Sequence, residues 1–179
     1  MNSQWFGDSY DIVKRYFVGI LKEIGYQVVV DPNMLTGEWN ELEQKFYYFL
    51  GAAPTSDSTS HKSALLLDPD TGIGRKETQQ HVTIKFIAYC LQKHEIVFTF
   101  DQSFSRADSK PRIMEEKMIE KLDLLKKTGN FGFYYNSHAK FLFATSSLER
   151  LNTVEQKLLS SGLPESRLLK FNKRISGTA

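Results

Sequence analysis

Three short apolar segments, each ending in aspartate, constrain the fold of this chain more than any other feature. They read VVVD, LLLD and FTFD, and they end at Asp31, Asp68 and Asp101. Amphipathic segments with helical spacing lie between them, and this alternation is typical of a parallel sheet with helices on both faces. Strands buried on both faces are apolar at consecutive positions, as these segments are. The sequence therefore predicts an α/β fold.

The predicted architecture is a three-layer sandwich with a mostly parallel, Rossmann-like central sheet and a C-terminal antiparallel hairpin. Parallel strands are predicted at 26–31, 64–68 and 95–100, and the hairpin at 131–135 and 140–145. A chain of 179 residues suits one compact domain, so we expect residues 1–179 to form a single unit. Its last residues, about 171–179, are expected to be a flexible tail after a short edge strand.

The loop after the second predicted strand is the strongest functional candidate. It reads DPDTGIGRK, residues 68–76, and combines two carboxylates, two glycines and two cations. Glycine permits close approach of the backbone to a ligand, and Arg75 and Lys76 suit phosphate oxygens. A carboxylate after a strand also fits ordinary turn chemistry, in which it accepts bonds from nearby backbone amides. Both interpretations of Asp68 and Asp70 stay open at this point.

Parallel strands bring their carboxyl ends to one edge of a sheet, where ligands commonly bind. Clustered carboxylates at such an edge repel one another unless a cation neutralises them, and Mg²⁺ or Mn²⁺ prefers oxygen ligands. We therefore predict a metal site at this edge. The expected metal ligands are Asp31, Asp68, Asp70 and Asp101, and the last three are the predicted catalytic residues.

A second polar segment, DQSFSRADSKPR at 101–112, follows the third predicted strand and is expected to face the same crevice. Its serines, glutamine and basic side chains suit an anionic substrate, although a solvated connection has the same composition. The predicted substrate-binding residues come from this segment, from the 68–76 loop and from the hairpin turn. They are Thr71, Gly72, Gly74, Arg75, Lys76, Gln102, Arg106 and His138.

These features predict a metal-dependent enzyme of phosphoester chemistry, in particular a nuclease acting on DNA or RNA. The formal net charge is only +2, so nucleic acid would be attracted by a local basic loop and not by the whole molecule. No apolar stretch approaches the ~20 residues that span a bilayer, and a cytoplasmic location is expected. A non-catalytic interaction protein of a toxin–antitoxin or phage-defence module is an alternative, with a protein partner and an undetermined oligomeric state.

Several segments resemble a poorly characterised bacterial family of small proteins. They are ALLLDPDTGIG, HVT at 81–83, EIVFTFDQSFSR and FYYNSHAKFLFAT. The order of elements also resembles the C-terminal half of Rossmann-type methyltransferases, where a DPPY-like motif holds the target amino group. That resemblance implies S-adenosylmethionine as cofactor, with Asp68 to Thr71 facing a substrate amine. The DPD stretch is also similar to the DxD stretch of Toprim domains, whose aspartates carry Mg²⁺.

Overall fold

The structure is a computed structural model and describes residues 1–55, 62–76, 78, 80–104 and 110–170. Within these residues, the helices are α1 Ser9–Glu23, α2 Leu42–Leu50, α3 Ile84–Cys90, α4 Pro111–Lys127 and α5 Leu148–Ser160. The strands are β1 Gln27–Val30, β2 Ala53–Pro54, β3 Ser63–Leu67, β4 Gly72–Ile73, β5 His81–Val82, β6 Ile96–Phe100, β7 Phe131–Tyr135, β8 Phe141–Thr145 and β9 Leu168–Lys170.

The central sheet has the strand order β2-β1-β3-β6-β8-β7-β9. Its first four strands are parallel, and β8, β7 and β9 each pair antiparallel with their neighbours. The α/β prediction is confirmed, as are the adjacent parallel strands β1, β3 and β6 and the β7–β8 hairpin. The short strands β4 and β5 form a separate parallel pair that the sequence patterns did not predict. That pair lies in the loop region that carries the candidate residues.

Helices cover both faces of the sheet, and a separate apolar core lies under each layer. Helices α1, α2 and α5 pack on one face, and α3 and α4 pack on the other. Successive side chains of a strand point to opposite faces, so each buried strand contributes to both cores. The first core includes Phe17, Leu21, Phe46, Leu50, Leu66, Phe98, Val154 and Leu158. The second core includes Leu65, Leu67, Ile87, Val97, Met118, Leu122 and Leu125.

Helix ends follow local sequence signals with two exceptions. Asp8 caps α1 by accepting bonds from the next backbone amides, and Thr83 caps α3 in the same way. Helix α5 is capped by Ser147, whereas the capping-box spacing predicts Ser146. The spacing of Trp39, Leu42, Phe46 and Phe49 predicts one amphipathic helix that includes Trp39. In the structure Trp39 lies before α2 and packs against Phe46. Both differences shift a boundary and leave the buried face unchanged.

The predicted C-terminal edge strand is present as β9, which pairs with β7. The predicted tail at 171–179 lies outside the described residues. Across the described part of the chain, no helix has the length and apolar character needed to cross a membrane.

Candidate functional site

Asp68 belongs to a buried ion network that joins the end of β3 to α1. Lys14 Nζ lies 2.6 Å from Asp68 Oδ2 and 2.9 Å from Asp11 Oδ1. All three side chains are almost fully buried. Burial alone favours the neutral amine, but the two carboxylates outweigh it and raise the pKa of Lys14 above its ordinary value. The network therefore holds one ammonium between two carboxylates.

Asp70 is bonded on both of its carboxylate oxygens. The α-amine of Met1 lies 2.9 Å from Oδ1, and Thr36 Oγ1 donates to Oδ2 at 2.8 Å. The same amine donates to the carbonyl oxygens of Asp68 and Met34. The Asp70 side chain is 20% exposed. These contacts tie the 68–70 turn to the first residues of the chain.

Asp101 connects the end of β6 to three other parts of the fold and is fully buried. Its Oδ1 accepts bonds from Ile73 N at 3.0 Å and from Ser103 Oγ at 2.7 Å. Its Oδ2 accepts from Lys121 Nζ at 2.6 Å and from Tyr134 OH at 2.8 Å. Asp101 thereby fixes β4, α4 and β7 relative to one another.

The remaining strand-ending aspartate, Asp31, accepts bonds from the backbone and side-chain amides of Asn33. It caps the short 3-10 turn Pro32–Met34. For an aspartate that follows a strand, this turn chemistry is the alternative to metal binding.

The arrangement of these carboxylates does not fit a divalent cation as it stands. Among the described residues, no group of three or more histidine, cysteine, aspartate or glutamate side chains is placed to hold a metal ion. Lys14 pairs with Asp68, the Met1 amine with Asp70 and Lys121 with Asp101. Each of these three carboxylates therefore already contacts a protein cation. A metal would have to displace these ammonium groups. The metal site stays a prediction, and the buried contacts favour structural roles for Asp68 and Asp101.

Two cavities lie on either side of the 68–74 loop. The smaller has a volume of about 470 Å³ and is lined by Asp68, Asp70, Asp11, Lys14, Gln102 and the aromatic side chains of Trp5, Tyr10 and Phe100. Asp68 and Asp70 therefore share a cavity, as expected from their spacing. Asp101 is not among the residues that line it, and neither is the backbone of 71–74.

The larger cavity is a cationic cleft of about 770 Å³ between α4 and the β4–β5 region. Its floor includes Ile73 and Ile84, which are buried, and the exposed Leu124 lies on its α4 wall. Of the described residues that line it, five are cationic and one is a carboxylate, Glu120. The cationic residues are Arg75, Lys85, Lys117, Lys121 and Lys127. We refer to this cavity below as the cationic cleft.

The predicted substrate-binding residues divide between the two cavities. Gly74 and Arg75 line the cationic cleft, whereas Gln102 lines the smaller cavity and donates to the His138 carbonyl. His138 Nε2 lies 2.9 Å from Tyr10 OH, on the α1 side. Lys76 is exposed and lines neither cavity. Arg106 lies outside the described residues.

Thr71 and Gly72 shape the loop between the cavities. Thr71 Oγ1 donates to the Gln80 carbonyl at 2.7 Å and lies 2.6 Å from His81 Nδ1. Gly72 has a φ of +93°, and a Cβ there would stand 2.5 Å from Asp101 Oδ1 and from Gln102 N. Only glycine permits this close approach. Gly72 therefore approaches the end of β6, and its predicted contact with a ligand stays a prediction.

Lys14 was missed by sequence reasoning, although its position carries a signal. It stands four residues after Tyr10 and three before Phe17, on the face of α1 that packs against the sheet. A lysine at a core-facing helical position requires a carboxylate partner, because an unpaired buried charge is costly. The partner, Asp68, is 54 residues away in sequence and became apparent only in the fold.

The α4 cations that line the cleft are not among the site residues predicted from the sequence. Lys117, Lys121 and Leu124 recur at helical spacing and line the same cleft wall. An exposed leucine within a lysine-rich face is the sequence signal that distinguishes this stripe from a uniformly polar surface. Leu124 is 43% exposed in the structure.

The fold and the site together define an α/β protein with a mixed sheet and a cationic cleft beside the carboxyl ends of its parallel strands. Comparison of the chain with protein-family models, with curated proteins and with solved structures finds no significant match. The resemblances based on the DPDTG motif therefore stay predictions.

The tyrosines of the core make stability sensitive to high pH. Burial, together with the nearby Glu95 carboxylate, raises the pKa of Tyr26 to about 12. Burial and the Asp101 carboxylate raise the pKa of Tyr134 well above its ordinary value. Unfolded tyrosine ionises near pH ~10, so above that pH the unfolded state releases protons that the folded state retains. The free energy of unfolding therefore falls as pH rises, and the raised pKa of Lys14 acts in the same direction.

We expect Tyr26→Phe to reduce the loss of stability between about pH 9 and about pH 11. Urea denaturation at several pH values measures this dependence for the parent and the variant. Tyr48→Phe alters a tyrosine that is 90% exposed and should retain the pH dependence of the parent. An unchanged pH dependence in Tyr26→Phe would contradict the assigned role of Tyr26.

Proposed function

We propose that the protein binds a phosphate-bearing ligand in the cationic cleft. The observation that carries the proposal is the group of five cationic side chains among the described residues that line the cleft. Lys121 pairs with Asp101 and Lys127 pairs with Asp123, so the proposal rests mainly on the exposed Arg75 and Lys85. Formal net charge over the whole chain is only +2, so this concentration of positive charge is local. Cations gathered in a cleft attract anions and raise their local concentration.

The size and position of the cleft support a small-molecule site. Its volume of about 770 Å³ lies within the ~300–1,000 Å³ range of ligand pockets. It is bordered by residues that follow the carboxyl ends of β4 and β6, where α/β sheets commonly bind ligands. Apolar floor residues combined with a few charged groups are typical of such sites.

Arginine and lysine suit phosphate for different reasons, and the cleft has both. The guanidinium of Arg75 can donate two parallel bonds to phosphate oxygens, whereas each lysine ammonium acts as a compact point charge. Lys121 bonds to Asp101 and Ser103 at the cleft wall, and the Asp101 carboxylate balances its charge.

The metal-dependent nuclease has less support than anion binding. The paired carboxylates of Asp68, Asp70 and Asp101 carry that hypothesis, and each contacts a protein cation. Titration with Mn²⁺ and a nucleic-acid cleavage assay test it independently of the cleft. Calorimetry with S-adenosylmethionine tests the methyltransferase alternative in the same way.

Removing two exposed cations of the cleft tests the proposal. Arg75→Gln/Lys85→Gln is expected to weaken binding of inorganic pyrophosphate by about tenfold or more, because each charge-assisted bond contributes about 1.5–3 kcal/mol. Isothermal titration calorimetry at low ionic strength measures the dissociation constant. Affinity of the parent should fall as salt is added, because screening weakens attraction to exposed cations.

A charge-matched variant controls for the change in net charge. Lys45→Gln/Lys93→Gln removes two positive charges from residues that do not line the cleft and should bind pyrophosphate as the parent does. Equal weakening in the two double variants would indicate nonspecific attraction. Failure of the parent to bind pyrophosphate would overturn the proposal.

A further inference from the structure

Among the described residues that line the cationic cleft, His81 is the one whose type changes charge near neutral pH. An imidazole gains or loses a proton between about pH 5 and about pH 8. Lysine and arginine side chains stay cationic over this range, and glutamate stays anionic. The lining residues of these types are Arg75, Lys85, Lys117, Glu120, Lys121 and Lys127. The nearest buried carboxylate behind β4 is Asp101, which bonds to Ile73 N and pairs with Lys121.

The side chain of His81 belongs to the wall of the cleft that the β4–β5 pair forms. His81 is partly exposed and is the first residue of β5. A Cβ on Gly74 would stand 3.1 Å from both Cβ and Cγ of His81, so the ring packs closely against this glycine. Gly74 N donates to the Val82 carbonyl at 2.8 Å, which holds the two segments together. Arg75 follows Gly74 directly and lines the same cleft.

Thr71 determines which ring nitrogen of His81 carries the proton in the neutral form. Its Oγ1 lies 2.7 Å from the Gln80 carbonyl oxygen and 2.6 Å from His81 Nδ1. The carbonyl can only accept a hydrogen bond, and a hydroxyl has a single proton to donate. Both contacts are hydrogen bonds only if Thr71 donates to Gln80 and Nδ1 donates to Thr71. Nε2, which is 3.3 Å from the same oxygen, is then the nitrogen that gains or loses a proton.

Resting on the proposed function, we propose that His81 is an anion-binding residue of the cleft and that Thr71 positions it. Nε2 gains a proton when a phosphate binds and donates a charge-assisted hydrogen bond to a phosphate oxygen. The bound phosphate favours the protonated imidazole, because it places negative charge beside the ring. Binding is therefore coupled to proton uptake, and His81 contributes to affinity in mild acid but not in mild base.

Affinity for pyrophosphate at two pH values tests the role of His81. We expect His81→Gln to bind about tenfold more weakly than the parent near pH ~6 and about equally near pH ~8, because only the protonated ring makes the charge-assisted bond. Isothermal titration calorimetry measures both dissociation constants. Their ratio at one pH does not depend on the protonation of pyrophosphate itself, which is the same for both proteins. A ratio that is equal at the two pH values would overturn the role of His81.

His138→Gln is a charge-matched control for this comparison. His138 contacts Tyr10 on the α1 side and does not line the cleft. The variant removes the same titrating group from the chain, and it should bind pyrophosphate as the parent does at both pH values. Equal weakening of His81→Gln and His138→Gln in mild acid would indicate a general effect of net charge and would also overturn the assignment.

Two variants of Thr71 test its positioning role. Thr71→Val removes the hydroxyl at similar volume and should lose most of the affinity advantage near pH ~6, whereas Thr71→Ser retains the hydroxyl and should retain the advantage. Nuclear magnetic resonance of the ring nitrogens measures the neutral form directly, and we expect the proton on Nδ1 of His81. An equal pH dependence in the two variants, or a neutral ring protonated on Nε2, would contradict the role of Thr71.

The outcomes distinguish this inference from the proposed function. If the parent binds pyrophosphate and His81→Gln binds it equally at both pH values, the inference fails and anion binding in the cleft stands. If the parent does not bind pyrophosphate at either pH, both proposals fail.

Discussion

Replacing Lys14 with methionine is expected to lower the free energy of unfolding by about 3–5 kcal/mol, because it leaves two buried carboxylates without their cation. Asp11 and Asp68 both lie within 2.9 Å of the ammonium and are almost fully inaccessible to solvent. Methionine has a similar length and apolar stem, so most of the loss comes from charge and not from packing. Urea denaturation of parent and variant measures the difference.

Acid should partly rescue this variant. Burial raises the pKa of Asp11 already in the parent. Without the ammonium this pKa rises further in the folded state, which then binds more protons than the unfolded state. Its free energy of unfolding therefore falls as pH rises, and the deficit is smaller near pH ~4 than near pH ~7. A deficit independent of pH would indicate lost packing instead.

Neutralising the whole network provides a second comparison. The triple variant Lys14→Met/Asp11→Asn/Asp68→Asn removes both carboxylates and should recover much of the lost stability. Lys22→Met alters an exposed lysine of the same helix, whose ammonium donates to the Gly51 carbonyl, and should change stability by less than about 1 kcal/mol. A similar effect of Lys22→Met and Lys14→Met would contradict the importance of the buried pair.

Asp101→Ala is expected to destabilise the protein by about 3–5 kcal/mol, because several donors lose this acceptor together. Lys121 and Tyr134 both donate to its Oδ2, and the Tyr134 side chain is fully buried. Ile73 N and Ser103 Oγ donate to the other oxygen. Chemical denaturation measures the loss, with Glu116→Ala as a control that breaks an exposed pair with Arg112.

A partial replacement distinguishes the charge of Asp101 from its shape. Asp101→Asn retains one acceptor oxygen for Ile73 and Ser103 but presents an amide to Lys121 and Tyr134. We expect an intermediate loss, because two donors then face a donor. Equal stability of Asp101→Asn and the parent would show that the negative charge is not needed at this position.

The predicted strands ending at Asp31, Asp68 and Asp101 show how much of the fold is encoded locally. Runs of buried aliphatic residues and amphipathic helices with capping residues specify the parallel strands and the layers, because these signals act over a few residues. The strand pair β4–β5 had no such signal, since each member has only two residues. The pair depends instead on the hydrogen bond from Ile73 N to Asp101, which lies 28 residues further along the chain.

Part of the candidate site could likewise be predicted from the sequence, and the rest depends on tertiary contacts. Strand order predicted that Asp68 and Asp70 lie near one edge, and they do share a cavity. Their partners were not predictable, because Lys14 and Lys121 lie on helices whose rotation toward the sheet depends on tertiary packing. An aspartate at the end of a predicted strand can be identified from the sequence, but the lysine that pairs with it can be identified only from the fold.

The sequence by itself determined the α/β class, the three adjacent parallel strands and the clustering of polar residues beyond their carboxyl ends. Local hydrophobic periodicity and capping chemistry are sufficient for these features. Only the tertiary structure decided that the aspartates of the 68–101 region contact lysines and backbone amides, and that lysines of α4 form a cleft with Arg75. Those contacts join residues far apart in sequence, and their geometry depends on how the helices pack against the sheet.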